Sequence, residues 1–258
     1  GSSSTFSTNS DFNINFDVTR TLKNYDNQVR ALITKPNKST AKKLPLIVYS
    51  YGGPSSFTVG HIHRYAIGSK HRSLTQSWLA SLGFIVVSID GAGTPIGTIS
   101  REDATAQDFY EPTIKDQVDV VNELIKSGEI DEDRIAIMGW SFGGYLSGAC
   151  ISKYPNIFKA AVIGAPVSDW ILYDTCYTER FIGNPNIKPD NYERSSLLNK
   201  TFSKDSMIRL IHGRSDDNVL YANSEKLRDH LVMQGLTIDF VTIDDATHMV
   251  GNANDAAK

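Results

Sequence analysis

The sequence predicts an α/β fold with a mostly parallel central sheet and helices on both faces. Short apolar segments of strand length alternate along the chain with longer segments of helical periodicity. Strands that alternate with helices form β-α-β units, whose parallel sheet is covered on both faces. The 258 residues suit one large domain, and the content of 40% apolar and 21% charged residues is ordinary for a globular protein.

The first elements follow in chain order. Segments 13–20 and 28–34 are expected to form paired edge strands. Two apolar runs, 44–50 and 84–89, have the length of buried strands, and 74–82 is expected to form a helix between them.

The clearest amphipathic helix is predicted at 112–126. Its apolar residues recur at helical spacing, and its acidic residues are expected to face away from them. The apolar face contains Ile114, Val118, Val121 and Ile125, and the acidic set is Asp116, Asp119 and Glu123. Later strands are expected at 134–138, 160–164, 207–211 and 237–243, and later helices at 142–154 and 219–234.

Several classes of function are disfavoured by composition. The net charge of −3 argues against nucleic acid as a partner, and no apolar run reaches the 18 residues of a membrane span. Residues 90–94 (D-G-A-G-T) lack the lysine of a phosphate-binding loop. His61, His63 and His71 have no carboxylate or cysteine at ligand spacing. We therefore expect neither a cofactor nor a metal.

The two cysteines do not indicate a disulfide framework. Cys150 falls in the predicted helix after residue 141, and Cys176 in a tyrosine-rich stretch expected to be a loop. Both are expected to be buried, unpaired thiols.

A candidate nucleophile lies between a predicted strand and a predicted helix. Residues 139–143 read G-W-S-F-G, and glycines around Ser141 would let the chain turn sharply and present the hydroxyl at the edge of the sheet. The bare five-residue pattern also occurs in purely structural glycine-rich turns. The strand before it and the helix after it favour the nucleophile elbow.

A serine nucleophile needs a base and an acid, and candidates for both follow predicted strands downstream. His248 ends the loop after 237–243, and Asp216 and Asp217 lie in the polar turn after 207–211. The order serine, acid, histidine is that of α/β-hydrolases. Spacing alone does not choose between the two aspartates, and either could serve as a turn or helix-capping residue.

Several motifs together resemble the dipeptidyl peptidase IV branch of the prolyl oligopeptidase family. The motifs on which this resemblance rests are 139–145 (G-W-S-F-G-G-Y), 51–54 (Y-G-G-P), 165–170 (A-P-V-S-D-W), 177–180 (Y-T-E-R), 212–213 (H-G) and 216–219 (D-D-N-V). The similarity runs from about residue 13 to residue 248. It implies an α/β-hydrolase catalytic domain at 13–258, from a serine peptidase that removes N-terminal dipeptides ending in proline or alanine.

The resemblance also implies roles for individual residues. Ser141 would be the nucleophile, His248 the base and Asp216 the orienting acid. The oxyanion hole would consist of the backbone N–H of Phe142 and the hydroxyl of Tyr51, each such donor being worth about 3–4 kcal/mol.

A pocket for the substrate's proline is implied as well. A flat aromatic box suits a small apolar ring, although an aromatic core patch beneath a loop would have the same composition. The implied lining is Val167, Trp170, Tyr173, Tyr177, Phe142 and Val219, with Asn218 as a contact to a substrate carbonyl.

The chain departs from the family pattern in three ways. Ala92 stands where the family usually has arginine, and the chain ends ten residues after His248, before the family's long C-terminal helix. The resemblance implies a homodimer that this helix helps to form. Because the sequence ends before the helix, dimerisation is in doubt. The N-terminal β-propeller of the family is expected to be absent from this sequence and to act as a partner domain. Residues 1–12 are expected to be a disordered tail or a tail added for expression.

Two other functions are compatible with these motifs. One is an esterase or acyl-peptide hydrolase on the same fold, and the other is a catalytically silent accessory protein. The presence of Ser141, Asp216 and His248 argues against the silent protein. The parent protein is expected to be secreted or membrane-anchored facing outward, with the cytoplasm as the alternative compartment.

Overall fold

The protein is built on one eight-stranded sheet. The computed structural model describes residues 16–25, 29–56, 58–59, 70–95 and 105–250. The strands are β1 (Val18–Asn24), β2 (Arg30–Pro36), β3 (Leu44–Ser50), β4 (Ile85–Asp90), β5 (Ile130–Trp140), β6 (Ala160–Gly164), β7 (Met207–Gly213) and β8 (Ile238–Ile243). Their order is β1-β2-β4-β3-β5-β6-β7-β8, and all pairs from β4-β3 to β7-β8 are parallel. The predicted fold class is confirmed.

Helices connect the strands. They are α1 (Lys70–Ser81), α2 (Glu111–Lys126), α3 (Phe142–Lys153), α4 (Thr175–Ile182), α5 (Pro189–Ser195) and α6 (Ala222–Met233). Short 3-10 turns lie at Trp170–Leu172 and Leu197–Asn199. The segment between β6 and β7 contains α4, α5 and both 3-10 turns. The sequence patterns did not predict these elements.

The expected N-terminal strand pair is present, but only one member is an edge strand. β1 and β2 pair antiparallel, and β2 continues into an antiparallel pair with β4. β2 is therefore internal, which agrees with the burial of Ala31, Leu32 and Ile33. Residues 13–15 and 28 of the predicted strands lie outside the described residues.

The acidic face predicted for α2 is wrong at one position. Asp116 is buried, and its carboxylate accepts a hydrogen bond from the backbone N–H of Ala92 at 2.7 Å. Gly91 lies so close that a β-carbon there would come within 2.8 Å of the Asp116 β-carbon. The turn after β4 thus needs a buried acceptor, a tertiary requirement that helical periodicity does not reveal.

The sheet separates two apolar layers because successive side chains of a strand point to opposite faces. In β3, Leu46 and Val48 belong to the larger cluster, and Ile47 belongs to the smaller one. The larger cluster contains the apolar sides of α2, α3 and α6.

The second face is covered unevenly. α1 packs against β1, β2 and β4. Toward β8, in the part of the chain that the structure describes, this face carries half-exposed or exposed apolar residues. They include Val162, Met207 and Val241. Among the described residues, helical cover on both faces is therefore seen over the first half of the sheet.

The cysteines divide into one buried and one exposed thiol, and both are free. Burial raises the pKa of the Cys150 thiol, in line with an inert packing residue. Cys176 is exposed on α4, so the expectation that it is buried in a loop is wrong. Within the described ranges, no helix is long and apolar enough to cross a bilayer, and no group of three metal-ligating side chains occurs. His61 and His63 lie outside those ranges.

Close approach of α3 to β6 depends on a glycine. A β-carbon on Gly144 would overlap the carbonyl oxygen of Gly164, which is fixed backbone. We expect Gly144→Ala to lower the free energy of unfolding by about 2–3 kcal/mol, at the upper end of overpacking costs, measured by urea denaturation. Gly148→Ala in the same helix is the control, because there the β-carbon meets the ends of the Leu197 and Ile163 side chains and no fixed backbone. A smaller loss for Gly144→Ala than for Gly148→Ala would contradict this account.

Candidate active site

One cavity lies at the edge of the sheet where the parallel strands end. The loops after β3, β5, β6, β7 and β8 all emerge at this edge, because the carboxyl ends of parallel strands lie together. The cavity has a volume of about 870 Å³. Segments from all five of these loops and from α1 line it, with Asn218 in the loop after β7. They include Tyr51, Ser141, Val167, His248 and Arg72.

Ser141 lies on a sharp turn between β5 and α3. Its φ of 61° is unusual for a residue with a side chain and costs on the order of 1–3 kcal/mol. The turn is held because the Ser141 N–H donates to Gly164 at 2.9 Å, and its carbonyl accepts from the N–H of Tyr145 at 2.9 Å. A β-carbon on Gly143 would overlap the carbonyl oxygen of Ser50, so only glycine fits there. The predicted elbow geometry is present, and Ser141 faces the cavity.

His248 and Asp216 form a buried pair. The Nδ1 atom of His248 lies 2.7 Å from Oδ2 of Asp216. The Asp216 side chain is fully buried and that of His248 is only 10% exposed. Because Nδ1 faces a carboxylate, it carries the proton in the neutral imidazole, and Nε2 is left as the basic nitrogen.

The Asp216 carboxylate has four donors. Its Oδ1 accepts from the backbone N–H groups of Asn218 and Val219 at 2.9 and 2.8 Å. Its Oδ2 is shared by His248 and by Nε2 of His212, which lies 3.1 Å away. Burial alone would raise the pKa of Asp216, but hydrogen bonds from His212, His248 and the two backbone groups outweigh it and hold the pKa well below the usual range.

The two candidate acids are therefore placed differently. Asp217 is exposed and accepts one hydrogen bond, from the backbone N–H of His248 at 3.2 Å. Asp216 is the aspartate that contacts the imidazole. Spacing left this choice open, and the resemblance had selected Asp216.

The Ser141 hydroxyl and the His248 imidazole line the same cavity. The hydrogen bonds among the described residues do not include one between them. In hydrolases without substrate this bond is often long or poorly aligned and forms in the complex.

Both residues expected to supply oxyanion donors line the same cavity as Ser141. Phe142 is the first residue of α3, where backbone N–H groups have no acceptor within the helix. Tyr51 follows β3 and lines the cavity. The Arg72 guanidinium lies over the Tyr51 ring, 3.8 Å from its centroid.

An aromatic box forms one end of the cavity. Trp170 and Tyr177 stack with their planes 19° apart, and Tyr173 is nearly perpendicular to both. The hydroxyl of Tyr177 donates to the carbonyl of Pro54 at 3.0 Å, which ties the box to the loop after β3. Phe109 lies beneath it, 4.4 Å from the Trp170 centroid.

The remaining predicted contacts separate into two groups. Val167 and Asn218 line the cavity, and the Asn218 side-chain oxygen accepts from the Tyr173 hydroxyl at 3.2 Å. Val219 does not line the cavity. Its side chain is fully buried in the core. Its backbone N–H donates to the Asp216 carboxylate, and its carbonyl accepts from Nε2 of His212.

Several residues of the site were not among those predicted from the sequence. The indole N–H of Trp140 donates to the carbonyl of His248 at 2.8 Å, and His212 is fully buried against Asp216. Both residues lie within the family motifs, at 139–145 and 212–213, so the sequence contained a signal that could have identified them. Arg72 had none, because it lies on a helix outside every motif.

The fold and the site together define an α/β-hydrolase. A mostly parallel sheet carries a serine at a strand-to-helix turn, and an aspartate and a histidine follow the next strands in that order. The chain belongs to the prolyl oligopeptidase family, whose peptidase S9 model matches residues 70–258. The family expectation is confirmed.

Known relatives carry peptidase names. The chain is 34% identical over 225 residues to prolyl endopeptidase FAP of Bos taurus, covering 84% of this chain and 28% of that protein. It is 35% identical over 224 residues to dipeptidyl peptidase 8 of Mus musculus, covering 85% and 25%. The crystal structure of Porphyromonas gingivalis dipeptidyl peptidase 4 is similar with a TM-score of 0.81 and 26% identity, over 94% of this chain and 34% of that one. The chain thus spans only about a quarter to a third of these proteins.

The buried carboxylate should contribute to stability in a pH-dependent way. We expect Asp216→Asn to lower the free energy of unfolding at pH 7 by about 1.5–3 kcal/mol, because hydrogen bonds to a buried charge are lost. A carboxyl whose pKa is depressed by folding stabilises the folded state above its unfolded pKa of about 3.9. This contribution is lost as the pH falls toward the folded pKa. The difference from wild type should shrink below about pH 4 in urea denaturation.

Asp217→Asn is the matched control, since it removes an exposed carboxylate from the neighbouring position. It should change stability by less than about 0.5 kcal/mol. Equal losses for the two variants would contradict the special environment of Asp216.

Proposed function

We propose that this chain is the catalytic domain of a serine peptidase that releases N-terminal dipeptides ending in proline or alanine through an acyl-enzyme. The observation that carries the proposal is the Asp216–His248 hydrogen bond of 2.7 Å at the cavity that also holds Ser141 on its strained turn. A positioned base beside an exposed hydroxyl is the minimum requirement for serine nucleophilic catalysis.

In the acylation step, the Ser141 oxygen attacks the carbonyl carbon of the peptide bond while Nε2 of His248 takes the hydroxyl proton. The imidazolium formed is stabilised by the buried negative charge of Asp216. It then gives the proton to the leaving amine as the carbon–nitrogen bond breaks. In the second half, water attacks the acyl carbon while His248 takes a proton from it. The imidazolium then gives that proton to the Ser141 oxygen as the ester bond breaks, which releases the acid product and restores the hydroxyl.

The negative oxygen of each tetrahedral intermediate needs donors. The N–H of Phe142 and the hydroxyl of Tyr51 are proposed for this role. Phe142 directly follows Ser141, and Tyr51 lines the same cavity. Donors fixed by the protein require no reorganisation during the reaction, which is why they are effective.

The proposed preference for proline is supported by the aromatic box. Its faces suit a small apolar ring, which buries its surface there without leaving a polar group unpaired. Two hydrogen bonds hold the box rigid, from Tyr177 to Pro54 and from Tyr173 to Asn218. We propose that Asn218 also contacts a substrate carbonyl.

Recognition of the free N-terminus requires more than the described residues. None of the residues that line the cavity in the described part of the chain is acidic. A substrate ammonium therefore finds no carboxylate there. We propose that a β-propeller of the parent chain supplies that charge and limits the enzyme to dipeptide release.

The alternative, an esterase or acyl-peptide hydrolase, is favoured by the same lack of an ammonium acceptor. Turnover of Ala-Pro and Gly-Pro anilides by the full-length parent protein, compared with short acyl esters, separates the two. Ester turnover without anilide turnover would exclude the dipeptidyl reaction.

The catalytic assignment predicts an ordered set of losses in anilide hydrolysis. We expect Ser141→Ala to lower kcat by about 10⁶-fold and Asp216→Asn by about 10⁴-fold. Asp217→Asn should retain most activity, because that side chain does not touch the imidazole. A fluorophosphonate probe should label wild type and not Ser141→Ala. Equal labelling of both would contradict the catalytic assignment and favour the alternative, a catalytically silent accessory protein.

The oxyanion assignment predicts a loss in kcat rather than in affinity. We expect Tyr51→Phe to lower kcat by about 10²–10³-fold with little change in KM, because the donor acts mainly in the transition state. Tyr49→Phe is the control, since Tyr49 lines the same cavity two residues earlier. An unchanged kcat for Tyr51→Phe would remove Tyr51 from this role.

A further inference from the structure

The described lining of the cavity includes an arginine that the proposed reaction does not use. Arg72 of α1 lines the cavity and is half-buried, with its guanidinium stacked on the Tyr51 ring. Its Nη1 donates a long hydrogen bond of 3.4 Å to the hydroxyl of Thr58. A guanidinium has five N–H donors, and this hydrogen bond uses one of them.

In the order of the sheet, the helix that carries Arg72 and the segment that carries the aromatic box lie on opposite sides of β5. α1 packs on β1, β2 and β4, which precede β5 in the sheet. The box follows β6, on the other side of β5, and Ser141 ends β5. A peptide whose proline ring occupies the box and whose carbonyl lies at Ser141 therefore continues toward Tyr51 and Arg72.

We propose that Arg72 forms a subsite for a carboxylate carried by the first residue after the cleaved bond. This inference rests on the proposed function for the direction of the peptide. The carboxylate is either the C-terminus of a tripeptide or the side chain of an acidic residue at that position. One residue of extended chain spans about 3.5 Å, so such a group lies near the oxyanion donor Tyr51, on which Arg72 is stacked.

The chemistry favours a carboxylate over other groups. A guanidinium offers a planar fork of donors that matches the two carboxylate oxygens, and stacking on Tyr51 holds the fork in a fixed plane. No acidic side chain lines the described part of the cavity to compete for it. A neutral amide at the same place would offer one acceptor and no charge.

The test is equilibrium binding to the Ser141→Ala variant, which holds peptides without cleaving them. Trp140 and Trp170 line the cavity, so indole fluorescence reports occupancy. We expect the tripeptide Ala-Pro-Gly with a free carboxylate to bind about tenfold more tightly than the same tripeptide as its C-terminal amide. A second pair, Ala-Pro-Asp amide and Ala-Pro-Asn amide, tests the side-chain carboxylate and so distinguishes the two sources.

Substitutions at position 72 then assign the preference. In the Ser141→Ala background, Arg72→Gln should bring the ratio of acid to amide affinity close to one, whereas Arg72→Lys should retain a reduced preference because it keeps the charge without the fork. Arg209→Gln is the matched control. It removes one positive charge from an exposed residue of β7 outside the cavity and should leave the ratio unchanged.

The outcomes separate this inference from the proposed function. Equal affinity for acid and amide in both pairs, or a preference that survives Arg72→Gln, would overturn the subsite. That result would leave dipeptide release intact if wild type still cleaves Ala-Pro anilide, whose leaving group has no carboxylate. A clear, Arg72-dependent preference without anilide cleavage would instead support the subsite and count against the peptidase.

Discussion

The buried carboxylate of Asp216 is the constraint on which the rest of the site depends. A charge withdrawn from water is tolerated only when hydrogen bonds replace its hydration. Here the donors come from β7 through His212, from the following turn through two backbone groups, and from the loop after β8 through His248. Satisfying one carboxylate therefore joins two loops that are far apart in sequence. His212 is in turn held by the Ser224 hydroxyl at 2.7 Å, which extends the network into α6.

The elbow stores strain on the opposite side of the cavity. Ser141 has a backbone conformation that side chains rarely adopt, and it persists because β6 and α3 fix both of its backbone groups. The hydroxyl is thereby presented to the cavity, while the aromatic layer of α3 and the box packs beneath it. Rigid backbone supports the nucleophile, and the buried carboxylate of Asp216 supports the base.

The cavity is chemically asymmetric along the sheet. Aromatic faces follow β6, and the guanidinium of Arg72, from α1, lies over the ring of Tyr51 after β3. A peptide has matching asymmetry when an apolar ring precedes the cleaved bond and a carboxylate follows it. In the proposed reaction, the positive charge of the substrate's N-terminus would find no acidic counterpart among the described cavity residues, and we propose that a β-propeller of the parent chain supplies it.

The sequence by itself determined the α/β class, most strands to within a few residues, and the serine at its strand-to-helix turn. These follow from local periodicity and from glycines that close packing demands, as at Gly143 and Gly144. Family motifs added the choice of Asp216, which spacing could not make. Only the tertiary structure decided that Val219 is core, that Asp116 is buried under the turn after β4, and that Arg72 joins the cavity. Those outcomes depend on which strand ends and helices become neighbours, and contacts between distant segments leave no periodic signal along the chain.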